Sequence, residues 1–201
     1  MSIPTSLQPD LFAATDSPPV PVRAAIVDAA EEAALIAAID ATDPAPFRFQ
    51  RWIGKRRTTS FGWSYDFERG TMARGAPVPD FLLPVRARAA MFAGLAADAL
   101  EQALLIRYDP GAGIGWHRDR PQFDHVVGIS LGAPATLRMR RRRERGFDRA
   151  TLPLEPRAAY HLTGEARHEW EHSVAPMDEP RWSITFRSLS ERGRAAATAT
   201  A

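Results

Sequence analysis

The sequence predicts an α+β protein that is mainly β: a jelly roll or cupin-type barrel resting on N-terminal helices. Three observations carry this. Helical stretches fall only in the first half of the chain. From Gln102 onward, short apolar segments alternate with turn residues. The 201 residues are 45% hydrophobic, which suffices for one domain with a real core.

The elements follow in order. Residues 1–21 contain Pro4, Pro9, Pro18, Pro19 and Pro21 and no periodicity, so they read as a flexible tail. Ala24–Val27 reads as a short strand. Asp28 precedes Glu31 by three, the spacing of a capping box, and opens a helix to about Ala41 that buries Leu35, Ile36 and Ile39. In Phe61-Gly-Trp-Ser-Tyr-Asp-Phe67 aromatics recur at every second position, which gives a strand one aromatic face. A second helix spans about Leu82–Ala97, with Pro84 in its first turn. Strands are expected at Ala103–Tyr108, His125–Leu131, Ala135–Met139, Arg157–Leu162 and Arg181–Leu189, with a turn at Asp109-Pro-Gly111. From Arg192 the chain again reads as loose. The expected organisation is one domain over 22–190 between flexible tails at 1–21 and 191–201.

Composition excludes several chemistries. There is no cysteine, so disulfides, zinc–thiolate sites, iron–sulfur clusters and cysteine nucleophiles are all ruled out. Any metal must be held by His, Asp or Glu. No run approaches the roughly 18 apolar residues of a membrane span, and the start lacks the pattern of a secretory signal. A cytoplasmic location is the simplest expectation. The net charge of +2 is unevenly spread, because residues 1–44 hold seven acids and one base, Arg23. The rest is basic, which fits either a nucleic-acid partner or a surface of solvated arginines.

Five histidines are present, so each can be weighed. His117-Arg-Asp119 is a His-x-Asp at the mouth of an extended segment, where residues two apart share a side. With a distant third ligand it would form a two-His, one-carboxylate facial triad, which leaves open positions for a co-substrate and O₂ on non-haem Fe(II). His172 follows in Glu-His-Ser-Val-Ala-Pro. Then comes Arg181-Trp-Ser-Ile-Thr-Phe-Arg187, whose arginines lie six apart on one face of an alternating strand. Arginine forms forked pairs with carboxylates, and buried arginines need anionic partners. His168-Glu-Trp-Glu-His172 also spells the His-Glu-x-x-His of zinc proteases, but Gly164 and Pro176 leave little room for its helix. His168 is expected at the surface or behind the ligands, and His125 and His161 as satisfied strand histidines.

Arg107-Tyr-Asp-Pro-Gly-Ala-Gly-Ile-Gly-Trp-His-Arg-Asp119, Val127-Gly-Ile-Ser-Leu131 and Arg181-Trp-Ser-Ile-Thr-Phe-Arg187 together resemble the AlkB-like Fe(II)/2-oxoglutarate-dependent dioxygenases over roughly residues 45–190. The resemblance implies a double-stranded β-helix, with Fe(II) on His117, Asp119 and His172, and with 2-oxoglutarate and O₂ as co-substrates. It implies that Arg181 binds the distal carboxylate of 2-oxoglutarate and that Tyr108 hydrogen-bonds the co-substrate. Arg187 is placed near the metal end or the substrate. One departure is visible: Ile106 stands where the family often has Asn.

The implied reaction is oxidative dealkylation of N-alkylated bases in DNA or RNA. The same chemistry on a protein or small molecule is the alternative, and a non-enzymatic cupin-like binding module is the alternative of another class. Arg51, Lys55, Arg56 and Arg57 resemble the family's nucleotide-recognition lid. Trp63 or Tyr65 would stack on a flipped base, or else belong to the core. Arg56 and Arg118 complete the expected substrate contacts. Arg138 and Arg140–Arg143 either hold phosphates or cap a solvated hairpin. Finally, Gln8-Pro-Asp-Leu-Phe12 resembles the peptide that docks on bacterial sliding clamps.

Overall fold

A computed structural model describes residues 20–49, 52–66 and 71–199. In chain order the elements are β1 (Val22–Arg23), α1 (Ala29–Ala41), β2 (Ala45–Phe49), β3 (Trp52–Phe61), β4 (Trp63–Asp66) and β5 (Thr71–Arg74). Next come α2 (Leu83–Ala93), β6 (Gln102–Tyr108), β7 (Ile114–His117), β8 (Phe123–Gly132), β9 (Ala135–Arg142) and β10 (Phe147–Leu154). The chain ends with β11 (Ala159–Leu162), α3 (Gly164–His168), β12 (Glu171–Val174), β13 (Arg181–Leu189) and α4 (Glu191–Thr198). A large sheet has the order β1-β11-β8-β13-β6-β3-β2, a smaller one β10-β9-β12-β7, and β4-β5 form a ribbon. All pairings are antiparallel, so the fold is the mainly β jelly roll that the sequence predicts.

Strand periodicity explains how this frame makes a site. On β6, Ala103 and Leu105 face the helices, whereas Gln102, Leu104, Ile106 and Tyr108 face a cavity. On β13, Ile184 and Phe186 join the helix-side core, while Arg181, Ser183, Thr185 and Arg187 face that same cavity. Leu35 and Ile39 of α1 and Val85, Ala89 and Ala90 of α2 close the outer face. The smaller sheet covers the inner face, and residues of both sheets line one cavity.

α1 forms as expected: Asp28 accepts from the Glu31 amide and the Glu31 side chain accepts from the Asp28 amide. Leu35 and Ile39 are buried and Ile36 is half-buried. Pro84 sits in the first turn of α2.

Several expectations are corrected. The first strand is Val22–Arg23 rather than Ala24–Val27, because Ala25 takes a left-handed φ of 51° that turns the chain inward. Phe61–Phe67 is not one strand. Gly62, at φ 78°, breaks it, and an added Cβ there would collide with the Glu101 carbonyl; Phe67 lies outside the described residues. α2 stops at Ala93 because Gly94 adopts the left-handed C-cap. β11 starts at Ala159, after Arg157 at φ 67°. The C-terminal segment is not loose: Ser190 caps α4, and Ala197 packs with Met72, Phe123 and Leu189. Gln8–Phe12 lies outside the described residues. Among the described residues, no helix is long and apolar enough to cross a membrane.

Candidate active site

β7 delivers His117 at its last residue, and β12 brings His172 directly across from it in register. Their ring centres stand 4.3 Å apart. Asp119 lies two residues beyond the end of β7, so His-x-Asp spans a strand end rather than one strand. Its Oδ2 is 3.8 Å from His172 Nε2. Two donors at right angles, each about 2.1 Å from one ion, would stand roughly 3 Å apart, so this pair stands near but not at a ligating separation, and the described residues hold no group of three donors already set for an ion.

The surroundings fix which atoms these side chains can offer. His117 Nδ1 is 2.9 Å from the Gly115 carbonyl, which only accepts, so Nδ1 carries the proton and Nε2 keeps its lone pair. Burial lowers the pKa of His117 and, with the neighbouring His117 ring, pushes His172 down to about 3. Both rings are therefore neutral, the form that binds metal. Burial alone would raise the pKa of Asp119, but Arg187, then His172 and His117, outweigh it and hold the carboxyl well below the usual range. Arg187 donates from Nε and Nη2 to Asp119 Oδ1 at 3.1 and 2.7 Å, which leaves Oδ2 turned to His172. Arg187 thus stands beside the Asp119 carboxylate, held there by Gln102 Oε1 at 2.9 Å. Gln102 in turn donates to the Trp63 carbonyl at 2.8 Å.

Arg181 is 1% exposed and donates from Nε to Ser130 Oγ at 3.2 Å. Its guanidinium lies 5.1 Å from the centre of the Tyr108 ring, and no carboxylate pairs with it among the described residues. A buried guanidinium with no acid beside it is a receptor for a carboxylate. Ile106, the departure from the family pattern, pairs with Thr58 on one side and Ser183 on the other, so hydroxyls flank the apolar position. His117, Asp119, His172, Gln102, Ile106, Tyr108, Arg181 and Arg187 line a cavity of about 820 Å³.

The expected substrate contacts divide. Tyr65, Arg56 and Arg118 line the cavity. Trp63 does not; it packs with Met72, Phe123 and Leu189, so it belongs to a core cluster rather than a stacking platform. Arg118 donates to the His168 carbonyl at 3.1 Å. The protease spelling fails on geometry, since α3 ends at His168 while His172 is on β12, and His168 pairs with Asp124 at 3.2 Å. His125 Nδ1 and His161 Nε2 satisfy each other at 2.9 Å. The basic hairpin is largely neutralised: Arg140 pairs with Glu171, and Arg141 and Arg143 with Asp148.

Sequence reasoning missed three supports. Tyr160 lines the cavity, lies across Gly128, and is pushed up to about 12 by burial, so its phenol stays protonated. Arg167 from α3 donates to the Arg120 and Phe123 carbonyls and so pins the loop that carries Asp119. Gln102 sets the angle of Arg187. None has a spacing signal; strand register brings Gln102 and Tyr160 to the site, and the short helix α3 brings Arg167.

This pairing of a jelly roll with two histidines, one carboxylate and a buried arginine has its counterpart in one family. The model of the 2OG-Fe(II) oxygenase superfamily matches residues 25–194, and the chain belongs to it. Within it, the chain stands with the AlkB-like members. It is 29% identical over 174 residues to an Arabidopsis thaliana protein described as an alkylated DNA repair protein ALKBH8 homolog, covering 74% of this chain and 48% of that one. It is 27% identical over 157 residues to the mouse (Mus musculus) tRNA (carboxymethyluridine(34)-5-O)-methyltransferase ALKBH8, covering 75% of this chain and 23% of that protein. The chain thus spans less than half the length of both. The Salmonella typhimurium alpha-ketoglutarate-dependent dioxygenase AlkB is 26% identical over 156 residues, covering 66% of this chain and 69% of that one. In fold, the structure of OsALKBH1 superposes with a TM-score of 0.66 at 13% identity, covering 86% of this chain and 97% of that one. A Pseudomonas putida prolyl-4-hydroxylase gives 0.58 at 14% identity, covering 85% and 92%.

Proposed function

We propose that this protein is an Fe(II)- and 2-oxoglutarate-dependent dioxygenase that oxidatively dealkylates N-alkylated bases in DNA or RNA. The observation that carries the reading is the meeting of His117, Asp119 and His172 in one cavity with Arg181, a buried cation that has no acid of its own. The donor set fits Fe(II): two neutral imidazoles and one ionised carboxylate. His117, Asp119 and His172 would hold the metal, and Arg181 the distal carboxylate of 2-oxoglutarate. Tyr108 would hydrogen-bond the co-substrate.

Once bound, the metal with 2-oxoglutarate and O₂ supplies a C–H hydroxylation coupled to formation of succinate and CO₂, and an N-methyl carbon so oxidised leaves as formaldehyde. The chain does the rest. Arg187 keeps Asp119 ionised and aimed. Gly115 fixes the tautomer of His117. Leu104, Ile106, Val126 and Leu137 give the cavity a dry wall.

A nucleic-acid substrate is supported by the names of the AlkB relatives and by the charge of the cavity. Among the described residues, six arginines line it (Arg48, Arg56, Arg118, Arg120, Arg181 and Arg187) against one carboxylate, Asp119. Such a cleft favours a polyanion.

The test is release of succinate and formaldehyde by the purified protein with Fe(II), ascorbate and 2-oxoglutarate, with and without methylated single-stranded DNA or RNA. Both products, dependent on the methylated strand, are expected. Succinate without formaldehyde would redirect the substrate to a protein or small molecule. Neither product, together with no Fe(II) binding, would leave a cupin-like binding module.

A further inference from the structure

The cavity arginines fall into two sets. Arg48 and Arg118 are exposed and Arg120 is half-buried, as befits groups that meet a phosphate backbone at the surface. Arg56, Arg181 and Arg187 lie deep, at 8%, 1% and 8% exposure. Arg187 is matched by Asp119. Arg181 is accounted for by the co-substrate under the reading above. Arg56 is accounted for by nothing.

Its guanidinium lies flat on the Phe47 ring, 3.7 Å from the centroid. Its Nε is buried with no hydrogen-bond partner, and no acid pairs with it among the described residues. Arg57 pairs with Arg107, so Arg56 stands beside Tyr108 on the cavity face. Burial lowers its pKa, yet arginine does not lose its proton in a protein, so the cation persists. Holding such a charge in the fold is costly unless a ligand completes it. Under that reading 2-oxoglutarate would not supply the missing anion, because one carboxylate would be taken up at the metal and the other by Arg181. The dication and the dianion also cancel, which leaves the deep cavity positive.

We propose that Arg56 is a charge filter for the group that enters the cavity: it takes an oxyanion carried by that group and disfavours a cation. This rests on the dioxygenase reading and narrows its substrate. Methylation at N3 of cytosine creates a cationic base. Methylation at N3 of thymine leaves a neutral one of nearly the same size. A carboxylate on the ring gives an anionic one. The filter ranks these acid first, neutral second, cation last, which places this enzyme's substrate among N-alkylated bases that are neutral or also carry an acid, rather than cationic ones, with the carboxylated ring serving as a binding probe only.

The test uses the full chain loaded with Mn(II) and 2-oxoglutarate. Single-stranded thymidine pentamers with one central 3-methylcytosine, 3-methylthymine or 5-carboxyuracil are titrated in by calorimetry. The acid is expected to bind at least about tenfold more tightly than the cation, the scale of one charge-assisted hydrogen bond. Arg56→Met should compress that spread to about twofold while leaving 2-oxoglutarate affinity unchanged. It should also raise the melting temperature of the ligand-free protein, because a buried unpaired charge is removed; a purely structural Arg56 would lower it. Equal binding of acid and cation by the native protein, or an unchanged spread in Arg56→Met, overturns the proposal. So does a loss of 2-oxoglutarate affinity in Arg56→Met, which would assign Arg56 to the co-substrate. Failure of all three pentamers to bind, with 2-oxoglutarate still bound, is a different result: it overturns the nucleic-acid reading beneath.

Discussion

At His117 one hydrogen bond decides what the ring can do. With Nδ1 donating to Gly115, the opposite nitrogen is a ready ligand, and His117→Ala should abolish succinate formation while circular dichroism stays unchanged. Asp119→Ala should do more. It strips a partner from buried Arg187, so turnover is lost and stability falls by about 3–5 kcal/mol in urea unfolding. Arg181→Lys replaces a fork with a point charge and should raise the 2-oxoglutarate concentration needed for half-maximal succinate release about tenfold or more. His161 gives the pH prediction. Burial and then His125 push its pKa down to about 4, so the folded protein binds fewer protons than the unfolded chain between about pH 4 and 6.5. Stability therefore falls as pH drops through that window, and His161→Gln should flatten the acid arm of a melting-temperature profile. The residues most readable in the sequence were those whose chemistry demands a rare type at a set spacing: His117, Asp119, His172, Arg181 and Arg187. Gln102, Ser130 and Tyr160 were not readable, since such residues occur in many strands and only register gives them a task.

The strands that alternate clearly, β6, β8 and β13, lie in the middle of the large sheet, where both faces are covered. Their periodicity is the pattern of a buried sheet, and the sequence shows it. β7 and β12 hold the two histidines but are four residues each, too short for a period to register. β10 escaped notice because Pro153 interrupts it, which its edge position tolerates. Gly62 broke the aromatic run through a backbone angle that side-chain spacing cannot report. Gly128 matters differently: a Cβ there would enter the Tyr160 ring. Gly128→Ala should push Tyr160 off the cavity wall and cost about 1–3 kcal/mol, measured by urea unfolding. Truncation after Leu189 should uncover the face shared by Met72, Phe123 and Leu189 and lower the melting temperature, whereas a loose tail would leave it unchanged.

For the molecule as a whole, the fold class was readable because length, composition and strand pattern agree, while the closing of two sheets around one cavity depends on pairings far apart in sequence. That closure ties ligand binding to stability. Mn(II) with 2-oxoglutarate should raise the melting temperature with the logarithm of ligand concentration, a stabilisation of about 2.7 kcal/mol at a hundredfold excess over Kd, and Arg181→Lys should lose much of the 2-oxoglutarate share.

Among the described residues, β7 is the last strand of its sheet and is paired with β12 alone. Its register there rests on two matches, Ile114 with Val174 and His117 with His172. A slip of one residue would turn the His117 ring to the opposite face. Only correctly threaded molecules could then grip an ion with both histidines. If His117 and His172 hold iron as proposed, the ion would act as an inspector of the assembly: a preparation sorted by iron affinity would be sorted, molecule by molecule, by whether this strand was laid down in step.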